Sequence, residues 1–199
     1  MFSMGDLDLV KDLLDPFLLN PKDSYSQEQL DLSSDKVGIT KKQEINAWSG
    51  PFIMANANTR VVRRTEALLS LRQESYGANF TYQEHAYHKS WWSAFKSIIV
   101  TGISVLILMS PLKRAVKPFL PKPGEGPSED IQENGWFDCK YIVEAEDGQK
   151  SVFNMHAKGD PGYKVTSKLV SECALCLVKD IDSLPGGQEY GGVLTSASG

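Results

Sequence analysis

"GWFDCKYIVEAEDGQKSVFNMHAKG", Gly135 to Gly159, holds two runs rich in aromatic and β-branched residues on either side of Asp147-Gly148. Residues of this kind suit a pleated, half-buried surface, and Asp-Gly marks a reversal because glycine enters the left-handed conformation at no steric cost. A three-residue loop, Glu146 to Gly148, sets Tyr141 opposite Phe153 and Cys139 opposite Met155, which gathers the large apolar side chains on one face. A two-residue loop would oppose Tyr141 to Asn154 and Cys139 to His156. Slipping a strand by one residue turns its side chains over, so the pattern selects the odd-length loop. It also makes Cys139 a face residue rather than a ligand.

The next segment, "GDPGYKVTSKLVSECALCLVKD", predicts a helix with Asp160 as N-cap and Pro161 in the first helical position. Val165, Leu169, Cys173, Cys176 and Leu177 form its apolar stripe, expected to cover one face of the hairpin. Cys173 and Cys176 have CxxC spacing. A redox pair draws thiolate character from a helix N-terminus or basic neighbours, and a pair deep in the helix on a buried stripe lacks both, so redox chemistry is not expected there.

Upstream, Gly50 and Pro51 in "WSGPF" punctuate the entry to a short strand and then a helix, with Asn58 as N-cap and Val61, Thr65, Leu68, Leu69 and the stem of Arg72 on one face. Arg60, Arg63 and Arg64 share a neighbouring face. They suit either solvated charges or an anion site near the helix N-terminus. "NFTYQEHAY", Asn79 to Tyr87, is predicted as a strand. His85 and His88 near its end are too few for zinc, which needs three or four protein ligands, and no metal is expected. "GVLT", Gly192 to Thr195, is a short strand candidate.

"SIIVTGISVLILMSPLKRAVK", Ser97 to Lys117, contains an uncharged run from Ser97 to Leu112. As a helix it reaches about 24 Å, short of the roughly 30 Å of a bilayer's hydrocarbon core. Trp91 and Trp92 at one end, and Lys113 and Arg114 at the other, are residue types that settle at a headgroup boundary. With Ile103, Leu106 and Ile107 between them, they predict a helix lying in a membrane or lipid-droplet surface, or else a buried dimer-interface helix.

The 199 residues carry a formal net charge of -4, which disfavours nucleic acid as a partner. Three cysteines, and an N-terminus without the marks of a signal peptide, suggest a reduced protein on the cytoplasmic side. No glycine-rich dinucleotide loop is present. The nearest match, "GEGPSE" from Gly124, has Pro127 after its second glycine and Glu129 in place of the third. The fold expected is α+β: a mixed or antiparallel sheet with packed helices and one strongly apolar, membrane- or interface-facing helix. Residues 1–46 are an irregular lead-in, and 47–199 form the domain, with the apolar segment 91–112 inserted.

"WSGPFIMANANTRVVRRTEALL", "YGANFTYQEHAY", "PKPGEGPSEDIQENGWF", "GDPGYKVTSKLVSECALCLVKD" and "GGVLT" together resemble the C-terminal half of the saccharopine dehydrogenase-like oxidoreductases. The resemblance implies the substrate and dimerisation portion of an NAD(P)-dependent enzyme of lipid or glycolipid metabolism, inactive alone. The dinucleotide would be held by a Rossmann half absent here, and none by this chain itself. It implies a homodimer or a separate Rossmann half as partner, with Asn58, Arg60, Arg64, Asp160 and Tyr163 as cleft or anion contacts. A non-catalytic module attached to a membrane or lipid droplet is the alternative. Catalytic residues are not identified.

Overall fold

The computed structural model describes residues 15–33, 38–77, 79–119, 124–184 and 191–199. The chain divides into two compact units. The first comprises the described residues up to Thr40, Trp48–Phe95, and those from Ser183 on; the second comprises Lys41–Ala47 and Lys96–Asp182. The first ten residues, read above as without the marks of a signal peptide, lie outside the described residues.

In the first unit, helix α1 (Gln27–Leu32) is fixed by a capping box. The Gln29 N–H donates to Ser26 Oγ at 3.1 Å, and the Ser26 N–H donates back to Gln29 Oε1 at 2.9 Å. Strands β1 (Thr40–Lys42), β2 (Ala47–Gly50) and β3 (Ala86–His88) form a sheet in that order, of which Thr40, Trp48–Gly50 and β3 belong to this unit. β2 and β3 are antiparallel, with Trp48 opposite His88 and Gly50 opposite Ala86. The strand expected over 79–87 is therefore much shorter. The reason lies in competing partners: the Tyr82 carbonyl accepts from Arg63, and the Glu84 carboxylate accepts from Asn58 and from the Tyr82 hydroxyl.

Helix α2 (Ala55–Ser70) supplies most of this unit's core. It starts three residues before Asn58, since the N–H groups of Ala57 and Asn58 already donate to Met54 O. Its inward face keeps Thr65, Leu68 and Leu69 of the expected stripe, loses Val61 and is wider than expected. Thr59, Arg60, Arg63, Thr65, Glu66, Ala67, Leu68 and Leu69 are buried, whereas Val61 is 45% exposed. The buried face extends to charged side chains because those charges have internal partners.

The second unit is built on the hairpin β4 (Trp136–Glu144) and β5 (Lys150–Lys158). Its register is the expected one, with Tyr141 opposite Phe153 and Cys139 opposite Met155. The loop closes through Ala145 N–H to Gln149 O and Gly148 N–H to Ala145 O, both at 2.9 Å, with Gly148 at φ +81°. Helix α5 (Glu129–Asn134) runs into β4 through Gly135. A Cβ on Gly135 would lie 2.6 Å from Ile131 O and 3.0 Å from Asp160 N, so the chain crosses itself there only because no side chain is present. Gly159 N–H to Gly135 O, at 2.7 Å, ties the start of β4 to the end of β5.

Helix α6 (Lys164–Lys179) begins four residues after Asp160. Asp160 does not cap it. Its carboxylate accepts the Tyr163 N–H at 2.7 Å and holds residues 160–163 as a turn. Nor does α6 bury the expected stripe: none of its residues is buried, and Leu169, Cys173, Cys176 and Leu177 are exposed. Residues 192–195 form no strand, and Thr195 N–H donates to Ser198 Oγ instead.

Helix α3 (Trp91–Met109) begins in the first unit and continues into the second; helix α4 (Lys113–Val116) follows. The α+β class and antiparallel pairing hold, but the strongly apolar membrane- or interface-facing helix is a correction. Among the described residues, no helix is long and apolar enough to cross a membrane. Within α3, Lys96 stands immediately before the apolar run, and the hydroxyls of Ser97, Thr101 and Ser104 interrupt it. Ser104 Oγ donates back to Val100 O at 2.8 Å.

Candidate functional site

The polar groups of α2 are occupied by the first unit itself. Arg63, 3% exposed, donates to Pro16 O at 3.0 Å, Ser33 O at 2.9 Å and Tyr82 O at 3.1 Å, and its guanidinium lies 5.5 Å from the Phe17 ring centroid. Glu66 accepts from the Ser70 and Ser75 hydroxyls and from Tyr76 N–H. Thr65 and Thr195 share a hydroxyl contact of 2.7 Å. The bonds of Arg63 and Thr65 cross-link segments distant in sequence.

The residues singled out in the sequence are dispersed. Asn58 Nδ2 donates to Glu84 at 2.9 Å, and Arg60 is buried with a hydrogen bond to Asn56 O. Arg64 donates to Leu19 O and Val193 O. Asp160 and Tyr163 meet in their turn in the second unit, where the Tyr163 ring would lie 3.5 Å from a Cβ on Gly126. Trp91 stacks on Phe95 at 5.2 Å and meets Trp92 edge-on at 4.9 Å. Ile103, Leu106, Lys113 and Arg114 are exposed and Ile107 is half-buried. His88 Nδ1 lies 3.4 Å from Ser93 Oγ. Among the described residues, no group of three or more His, Cys, Asp or Glu is placed to hold a metal.

A different group converges at the base of the hairpin in the second unit. Asn134, Gly135, Trp136, Asp138, His156 and Lys158 line an open cleft of about 310 Å³. Asp138 and His156 oppose each other across the strands, with Nδ1 to Oδ1 at 3.4 Å, and Trp136 stacks on the imidazole at 5.9 Å. An imidazole held against a carboxylate is an oriented group able to pass a proton, and Lys158 adds a cation at the rim. Sequence reasoning missed this pair, although the register it selected sets Asp138 opposite His156.

At the other end of the hairpin, Lys150 Nζ bridges Glu44 at 2.9 Å and Glu144 at 3.2 Å. Backbone hydrogen bonding at Glu44 and then Lys150 hold that carboxyl below its ordinary range, while hydrogen bonds to Glu44 and Glu144 hold the ammonium above its own.

Several proteins that this chain resembles in sequence are named as trans-acting enoyl reductases. A Mycobacterium tuberculosis protein named as a candidate trans-acting enoyl reductase is 34% identical over 208 aligned residues, covering 98% of this chain and 48% of the relative. The trans-acting enoyl reductase of Mycobacterium ulcerans is 30% identical, over 90% of this chain and 42% of its own. That of Mycobacterium leprae is 33% identical, over 76% and 36%. The chain thus spans about half, or less, of the length of these curated relatives. No family model matches it, and no solved structure does. These names correct the expectation of a saccharopine dehydrogenase-like protein of lipid or glycolipid metabolism: the relatives are named for enoyl reduction.

Proposed function

We propose that this chain is part of an enoyl reductase that acts in trans, on an enoyl group presented by another protein. The observation that carries this reading is the similarity to the candidate reductase of M. tuberculosis, which runs over 98% of the chain. Reducing an enoyl double bond takes a hydride and a proton. A nicotinamide dinucleotide supplies a hydride when bound, but the residues described here do not fit one. The nearest glycine pattern leads into a six-residue helix whose first turn carries Glu129 and Asp130. Carboxylates at that place repel a pyrophosphate. On this reading the dinucleotide is held by a part of the enzyme outside the described residues.

What the chain offers is proton handling at the base of the hairpin. His156 stands at the cleft with Asp138 on its Nδ1 side, and Trp136 gives it a flat apolar neighbour. The test is a chimera in which this chain replaces the matching part of the M. tuberculosis relative, assayed with NADPH and a crotonyl thioester. The chimera is expected to oxidise NADPH, and His156→Gln to slow it on the order of a hundredfold, the scale of general acid–base catalysis. A folded chimera without enoyl reduction would overturn the proposal. Saturable NADPH binding by the 199-residue chain alone would overturn the placement of the dinucleotide.

A further inference from the structure

We propose that Cys173 and Cys176 on α6 form a binding site for one soft monovalent cation, copper(I), held between two thiolates. Both cysteines are free and exposed. They lie within a continuous helix, since the Asp180 N–H donates to Cys176 O at 2.8 Å and completes the last turn behind them. Three residues apart, they share one face, with Cβ atoms about 5–6 Å from each other.

That spacing decides among the things two thiols can do. A disulfide needs Cβ atoms about 3.5–4.5 Å apart, so oxidation within the pair would distort the helix. Zinc takes four protein ligands in a structural site and three in a catalytic one, and among the described residues no group of three or more His, Cys, Asp or Glu is so placed. A monovalent ion with a filled d shell is satisfied by two thiolates in line. Its two sulfur atoms then stand apart by twice a metal–thiolate bond of about 2.3 Å, a separation that Sγ atoms reach from Cβ atoms one helical turn apart without moving the backbone. Thiolates are also the ligands that favour copper(I) over harder ions.

The neighbours suit such an ion. Leu169, Val170 and Leu177 stand three or four residues from Cys173, which gives the thiolates apolar surroundings. Lys179, exposed and three residues beyond Cys176, brings an ammonium toward the single negative charge that two thiolates and a monovalent cation leave. On binding, each S–H gives its proton to solvent and each sulfur bonds to the metal, with no change of oxidation state. Cys139 is an internal control: it is a free, half-buried thiol on the hairpin, opposite Met155 rather than a second cysteine.

The experiment uses the 199-residue chain, reduced and free of oxygen, titrated against the coloured copper(I) complex of bicinchoninate. The chain is expected to withdraw one ion per molecule, and X-ray absorption of the product to show two sulfur neighbours. Cys173→Ser and Cys176→Ser should each weaken retention roughly a hundredfold or more, because the second thiol acts at the effective concentration of a tethered group. Cys139→Ser should leave retention unchanged, and matching melting curves separate loss of a ligand from loss of the fold. Failure to withdraw copper(I), retention that survives either α6 variant, loss of retention with Cys139→Ser, or one ion shared between two chains would overturn the proposal. The readout is metal retention alone, so it stands or fails independently of enoyl reduction.

Discussion

The two units solve the problem of stability in opposite ways. In the first, α2 buries Leu68 and Leu69 together with Arg63 and Glu66; Arg63 meets carbonyls of distant segments, and Glu66 meets the segment just after its own helix. In the second, Gly159 is the one buried residue among those described from 96 to 182, and the apolar residues of β5 and α6 face outward. Val152, Phe153, Met155, Leu169, Leu177 and Val178 are all exposed. The difference teaches that amphipathic pattern forms an element without covering it: hairpin and helix both appear where the sequence puts them, and their apolar faces remain unburied.

Arg63→Ala breaks the first unit's side of the comparison most severely. It strips partners from three carbonyls and removes the cation above Phe17, so a loss of about 3 kcal/mol or more is expected. Chemical denaturation measures it. Leu68→Ala should cost about 2–3 kcal/mol by leaving a cavity, whereas Val178→Ala, at a position 78% exposed, should stay within about 0.5 kcal/mol. Equal losses at the two sites would erase the contrast.

The hairpin offers a sharper, local probe. Nothing lies within 4 Å of a Cβ on Gly148, so its requirement is conformational: φ +81° is poorly tolerated by a β-branched residue. Gly148→Val should cost roughly 1 kcal/mol, read as a lower melting temperature. An unchanged melting curve would mean that the loop relaxes to another form.

The smallest expected effect is at Lys150. Because Glu44 is held below its ordinary range, its contact contributes fully above the unfolded carboxylate value and is lost as pH falls through the lowered one. Lys150, held above its range, contributes below the unfolded lysine value and loses that contribution as pH rises through the raised one. Both groups face solvent, so the effect is modest and screened by salt. Lys150→Met should lower the melting temperature slightly near neutral pH in dilute buffer, and leave it unchanged in strong acid or high salt. A salt-independent difference would point to packing instead.

Legibility in the sequence followed how local the governing interaction is. The hairpin register was readable because loop length, Gly148 and face alternation lie within one short stretch, and that register contained the Asp138–His156 pair of the cleft. Of the inward face of α2, Thr65, Leu68 and Leu69 were readable from their spacing, but the burial of Arg63 was not, since it depends on carbonyls at Pro16, Ser33 and Tyr82. Asp160 misled because aspartate serves a turn as readily as a helix cap. The exposure of Cys173 and Cys176 was equally hidden, for an apolar stripe states what a helix can bury and not what is there to bury it.

Native-state hydrogen exchange on the 199-residue chain tests the contrast between the units most directly. Amides of Ala67 to Leu69 in α2 should be among the slowest, and those of Cys173 to Leu177 in α6 should exchange roughly a hundredfold or more faster, because local opening there uncovers little buried surface. Protection in α6 equal to that in α2 would contradict the account, showing that the second unit holds a core as closed as the first.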